Sequence, residues 1–313
     1  MKVLFTGASS FTGFWFAREL AEAGHDVVCV FRRNRDAYVD SVRRERVERL
    51  QPLCRSMWRV TFGEPAFLDL IESETAWDLL CHHAAEVASY RSPDFDVVGA
   101  LASNIRNAPA ILDRLKERGC RGVVVTGSVF ETGEGAGTDG IPAVSPYGLS
   151  KFLTAESFRF FLRERSLPMG KFVLPNPFGP YEEQRFTSHL MEKWFSNATA
   201  IVRTPDYVRD NIHVSLLAKA YARFVERLAA SGESCIKLNP SGYVETQGEF
   251  AHRVAREVRS RTGRACALEM EKQRDFPEPR VRVNTDRLDH AELGWNEARA
   301  WDDLTRYYGA RLP

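Results

Sequence analysis

Through its first half the chain alternates short β-rich runs with longer amphipathic segments, and that rhythm constrains the fold more than any other feature. "KVLFTG" reads as a strand and "FTGFWFARELAEAG" as a helix closed by Gly24. "DVVCVF" is a second strand, followed by an Arg-rich helix. "WRVTFG", "WDLLCHH" and "GVVVTGS" read as further strands, separated by helices near 65–72 and 94–118. "PYGLSKFLTAESFRFFLRER" then reads as a helix and "GKFVLPNP" as a sixth strand. Strands alternating with helices predict a doubly wound parallel α/β sheet, Rossmann-like, with ligands at the carboxyl ends of its strands.

After Pro177 the rhythm gives way to loops, short helices and isolated strands such as "SCIKLNP" and "ACALEME", which predicts a smaller C-terminal substrate lobe. The expected division is a dinucleotide-binding domain over 1–176, with 213–240 returning to it, and a substrate lobe from 177–212 and 241–313. Four glycines in "GEGAGTDG" (133–140) predict a mobile loop.

With 44% apolar residues the chain can bury a substantial core, and a net charge of +1 dictates no polyanionic partner, so nucleic acid is not expected. The seven arginines between Arg32 and Arg49 are interleaved with Asp36, Asp40, Glu45 and Glu48, as on a solvated helix face. The six cysteines are scattered without a C-x-x-C pair, which argues against zinc and disulfides and for a reducing cytoplasm. His82 and His83 lack a third ligand at suitable spacing, so no metal is expected. No apolar run approaches a membrane span, and "MKVLFTGASS" enters a glycine turn rather than a signal peptide, so a cytoplasmic location is expected.

"TGASSFTG" closes the first strand and opens the first helix. Gly7 and Gly13 fit the outer glycines of a dinucleotide fingerprint, with Ser10 in the middle position. The second strand ends at Phe31, where an NAD site would carry an acid, and Arg32 and Arg33 follow. Guanidinium groups pair with a 2′-phosphate, and Ser9 adds a hydroxyl, so this charge pattern predicts NADP(H). Solvated arginines beside an NAD lacking its usual acid are the alternative. Glu64 ends the third predicted strand as an adenine-edge acceptor. His83, Ala84 and Ala85 end the fourth, the small residues letting backbone approach a cofactor. Ser128 ends the fifth, and Tyr147 and Lys151 lie one turn apart on the next helix. A phenol works as an acid–base group at neutral pH only if its anion is stabilised, which Lys151 would do while Ser128 polarises the reacting oxygen.

These residues resemble the extended short-chain dehydrogenase/reductase family of nucleotide-sugar epimerases, dehydratases and reductases, over nearly the whole chain. "TGASSFTG" resembles its T-G-x-x-G-F-x-G, with Phe11 as the phenylalanine, and "DLLCHHAA" its D-x-V-x-H-x-A-A. Asn104 matches its central-helix asparagine, and Ser128, Tyr147 and Lys151 its Ser/Thr–Tyr–Lys triad. The resemblance of "LPNPFGP" implies that Asn176 meets the sugar or first phosphate. That of "VRDNIHV" and "RDFPEPRVRVNTDRLDHAELGW" implies that Arg209, Arg274 and, less directly, Arg280 bind a diphosphate. Sugar 4,6-dehydratases carry Asp-Glu after the catalytic Ser/Thr, and UDP-glucuronate decarboxylases a glutamate at the second place. Here Val129 and Phe130 stand there, with Glu131 one place on.

Simple carbonyl–alcohol chemistry at C4 of a nucleotide-linked hexose is left. The arginines after strand two favour an NADP(H)-dependent 4-keto reductase. An NAD-retaining 4-epimerase is the alternative, and a non-catalytic dinucleotide-binding sensor the alternative of another class. Excess aromatic residues on the 147–163 helix (Phe152, Phe158, Phe160, Phe161), with the 94–118 helix, predict a homodimer.

Overall fold

The computed structural model describes residues 1–39, 41–137 and 141–312, with backbone alone at 41. The chain forms two compact units. The first comprises Met1–Glu134, Ile141–Leu174 and Ala218–Asn239; the second holds the short stretch after Glu134, Pro175–Leu217 and the chain from Pro240 onward.

A seven-stranded parallel sheet organises the first unit, as the alternating sequence predicts. Its order is Cys235–Leu238, Met169–Leu174, Val123–Ser128, Leu79–His82, Lys2–Thr6, Asp26–Phe31, Arg55–Trp58. "VVVTGS" and "LLCH" are buried throughout because helices cover both faces. Strand order reverses between Lys2–Thr6 and Leu79–His82, with Thr6 paired to His82, so the crevice of such a sheet opens beside Gly7 and His83. The "SCIKLNP" stretch lies in the 213–240 segment expected to return to the first domain, and it supplies the sheet's edge beside Met169–Leu174.

Three local expectations are corrected. The third strand is Arg55–Trp58, earlier than "WRVTFG", because Arg59 at φ 58° leaves the extended region. The 94–118 segment is two helices, Val97–Asn104 and Ala108–Glu117, broken where Asn107 turns left-handed at φ 52° just ahead of Pro109. Within 133–140, Gly133 and Gly135 take positive φ and feed a two-residue strand, Ala136–Gly137, paired with Val281–Val283; residues 138–140 lie outside the described residues. On the Pro146–Glu164 helix, Phe158 is buried while Phe160 is half exposed.

The second unit centres on Val208–His213, which pairs with Tyr243–Thr246, Val281–Val283 and Asn176–Phe178. Phe178, Trp194, Phe250 and Trp301 fill its core. Glu182 is sealed in this unit: Tyr308 Oη donates to its Oε1 at 3.0 Å, while its Oε2 is buried without a hydrogen-bond partner. Burial pushes the Glu182 carboxyl up to about 8. An unfolded glutamate ionises near pH ~4.3, so between that pH and about 8 the folded chain holds a proton the unfolded chain has lost. Stability therefore falls as pH rises through this window. Glu182→Gln removes the effect, and its melting temperature should exceed the parent's by roughly 3–6 °C at pH 8 and hardly at all at pH 4.5. Equal differences at both pH values would refute this.

Candidate active site

At the carboxyl end of the first strand the backbone turns tightly into the Phe11–Glu22 helix. Ser10 caps that helix, its Oγ accepting from the Gly13 amide at 3.1 Å and donating to the Gly7 carbonyl at 2.9 Å. Gly7 sits at φ 81°, and a Cβ there would lie 2.8 Å from the Ala84 nitrogen; a Cβ on Gly13 would lie 2.2 Å from the Gly7 oxygen. The missing side chains leave a cradle at a helix amino terminus, which could hold the pyrophosphate of a dinucleotide on Gly7, Ser9, Ser10, Phe11 and Gly13.

Thr6 Oγ1 accepts from the His83 and Ala84 amides at 3.1 and 3.0 Å, which pins the fourth strand's exit, and Ala85 with it, beside this cradle. His83 is a bridge: Nδ1 lies 3.0 Å from Thr126 Oγ1, and Nε2 lies 3.1 Å from both Ser10 Oγ and Thr12 Oγ1. Burial first, then the Lys151 charge, hold both His82 and His83 down to about 3, so each is neutral at physiological pH. Asn104 also bridges, its Oδ1 accepting from the Glu86 amide at 2.8 Å and its Nδ2 donating to Thr154 Oγ1 at 3.1 Å. Glu64 precedes the Pro65–Glu72 helix rather than ending a strand, and its carboxylate pairs with Arg106 at 3.1 Å.

Ser128 ends the fifth strand, buried, with its Oγ accepting from the Phe130 amide at 3.3 Å, so the hydroxyl proton remains to donate. The next turn seats the helix carrying Tyr147 and Lys151: Val144 N donates to the Phe130 carbonyl at 3.0 Å, and a Cβ on Gly148 would lie 2.2 Å from that oxygen. The Tyr147 ring packs edge-on against Tyr90 and Phe95, at 5.5 and 6.0 Å between centroids. Lys151 is buried, and that burial pushes its pKa down.

The sequence-based reading assigned nothing to the groups behind Ser128. Glu131 Oε1 accepts from the Ser128 amide at 2.7 Å, and Oε2 lies 2.7 Å from Lys171 Nζ. Its carboxylate is thus spent on the backbone and an ion pair. A charged residue in the apolar run "GKFVL" was the available signal, since a buried charge requires a partner.

In the second unit, Asn176 Nδ2 is buried without a hydrogen-bond partner. Arg209 lies over the Tyr207 ring at 4.1 Å and donates to Glu278 and to the Pro279 and Arg280 carbonyls. Arg274 is exposed, and Arg280 stands 5.3 Å over Phe276. No group of three or more metal-ligating side chains occurs among the described residues, and no helix among them is long and apolar enough to cross a membrane.

The model of the NAD dependent epimerase/dehydratase family matches residues 3–236. The chain belongs to that family. No curated protein matches this family member in sequence. Among solved structures it resembles UDP-glucose 4-epimerase from Thermotoga maritima with UDP-glucose (20% identity, 100% of both chains, TM-score 0.74). It also resembles UDP-glucose 4-epimerase from Stenotrophomonas maltophila with NAD and formylated UDP-arabinopyranose (21%, 99% and 98% of the two chains, TM-score 0.72). A third is dTDP-glucose 4,6-dehydratase from Streptomyces venezuelae with NAD and TYD (18%, 99% and 98%, TM-score 0.70). At such identities the likeness is one of fold.

The expectation of an NADP(H)-dependent reductase is overturned. The family is NAD dependent, and NAD is the dinucleotide bound in the latter two structures. The charge argument failed because it treated the arginines as unmatched. Arg32 pairs with Glu86 at 3.6 Å, so a carboxylate from the fourth strand's exit offsets the charge that a 2′-phosphate would need. Arg33 is exposed.

Proposed function

We propose that this chain is an NAD-retaining nucleotide-sugar 4-epimerase. The observation that carries the reading is the turn beyond Ser128, where Val129 and Phe130 occupy the two positions after the serine and the one acid, Glu131, has its carboxylate committed to the Ser128 amide and Lys171. Elimination of water needs an additional acid and base at the reacting carbons, whereas oxidation and reduction at one carbon need only a proton shuttle beside the nicotinamide.

Bound NAD would supply reversible hydride transfer. Gly7, Ser9, Ser10, Phe11 and Gly13 would hold its pyrophosphate. Tyr147 takes the proton of the C4 hydroxyl and later returns it, Lys151 stabilises the phenolate by its charge, and Ser128 donates a hydrogen bond to the C4 oxygen. Asn176, Arg209, Arg274 and Arg280 are proposed as ligands of the nucleotide sugar.

The test begins with denaturing freshly purified protein and identifying the released dinucleotide by mass. Near-stoichiometric NAD is expected. With no added cofactor, the protein should interconvert UDP-glucose and UDP-galactose, or another pair of nucleotide-linked hexoses differing at C4, as followed by proton NMR. Released NADP, or no inversion across a panel of nucleotide sugars, would refute the reading.

A further inference from the structure

Behind Ser128 lies a cluster of charges that the triad chemistry does not itself require. Glu131 is fully buried, and its two oxygens face the Ser128 amide and Lys171 Nζ, each at 2.7 Å. Lys171, also buried, is shared with Glu134 Oε1 at 2.7 Å. Glu134 Oε2 in turn accepts from Asn239 Nδ2 at 3.0 Å and from Lys237 Nζ at 3.2 Å. Gly127 makes room, since a Cβ there would stand 3.0 Å from both Glu131 Oε1 and Lys171 Cε.

Ion pairs buried this deeply rarely stabilise a fold more than apolar packing of the same volume would. The location of this one points to another use: it lies behind Ser128, and Phe130, the residue before Glu131, packs against the helix that carries Lys151, a Cβ on Gly148 standing 2.2 Å from its oxygen. Lys151 is buried and has no carboxylate within 4.0 Å among the described residues, so it needs a counter-charge at longer range.

We propose that Glu131, with its partner Lys171, is the positioning pair of the active site: its carboxylate fixes the Ser128 amide and supplies the counter-charge that keeps Lys151 a cation. This rests on the assignment of Ser128, Tyr147 and Lys151 to the chemistry. The charged and titratable groups facing Lys151 support it. Burial pushes Lys151 down, the Glu131 charge pulls it up, and Lys171 pushes it down again. His82 and His83, at the fourth strand's end, feel the Lys151 charge and stay neutral. Glu131 therefore stands alone among these groups in favouring the ammonium form, and Lys171 sets how strongly its charge is felt.

The test uses full-length protein carrying lysine labelled with ¹³C at Cε. The Lys151 signal is assigned by its loss in Lys151→Met, and its titration is followed by NMR in the parent, Glu131→Gln and Lys171→Gln. Glutamine at 131 keeps an acceptor for the Ser128 amide and removes the charge, so Lys151 should titrate lower than in the parent. Lys171→Gln leaves the carboxylate and removes the competing cation, so Lys151 should titrate higher. The alkaline limb of the kcat profile should move the same way in each variant. Should Glu131→Gln fail to accumulate, Lys171→Gln decides alone through the opposite sign. A Lys151 titration that matches the parent's in the variants obtained overturns the proposal, whatever their melting temperatures do. Shifted titrations in a protein that inverts no sugar uphold the pair and count against the epimerase reading instead.

Discussion

Tyr147→Phe is expected to lower kcat for C4 inversion by a factor of about 10²–10⁴, with bound NAD and the fold retained. The substitution deletes one oxygen and leaves the ring that packs on Tyr90 and Phe95. Any loss then comes from the missing hydroxyl rather than from a cavity. The phenol needs a cation within its field to ionise near neutrality, and Lys151, one turn along the same helix, is the buried group of that charge. The measurement pairs NMR rates of sugar inversion with dinucleotide content by mass and a thermal melt. A variant retaining more than about a tenth of the parent rate would remove Tyr147 from the proton path.

Gly7→Ala should destabilise the protein by roughly 3–4 kcal/mol and empty it of NAD, whereas Gly24→Ala should cost only about 1 kcal/mol. The two glycines have nearly the same positive φ, 81° and 86°. They differ in surroundings. A methyl group on Gly24 meets nothing within 4 Å, while one on Gly7 would sit 2.8 Å from the Ala84 nitrogen and 3.0 Å from its Cα. Backbone held by Thr6 cannot yield as a flexible side chain would, so relief must come from opening the turn that forms the cradle. Denaturant melts and dinucleotide release of both variants separate conformational strain from close approach. Equal costs would mean that strain alone explains Gly7.

Much of the fold was legible because its signals are local. Short apolar runs alternating with helix-period segments marked five of the seven sheet strands in place and a sixth a few residues late, and a cap such as Ser10 needs only the next few residues. The misplacements have local causes of a kind that periodicity does not register. Arg59 and Asn107 adopt left-handed conformations that end a strand and split a helix, and neither is a glycine. The Tyr-x-x-x-Lys spacing and the glycine turn were likewise readable, since helix geometry and a tight turn are set by adjacent residues.

The charges were another matter. Arg32 looked like a phosphate ligand until Glu86 was found beside it, and Glu131 had no assigned role until Lys171, on a later strand, was found beside it. By itself the sequence determined which backbone conformations form and in what order, because those energies act between near neighbours along the chain. Tertiary structure alone decided which charge meets which, because a buried ion answers to whatever lies within a few ångströms in space, however distant in sequence.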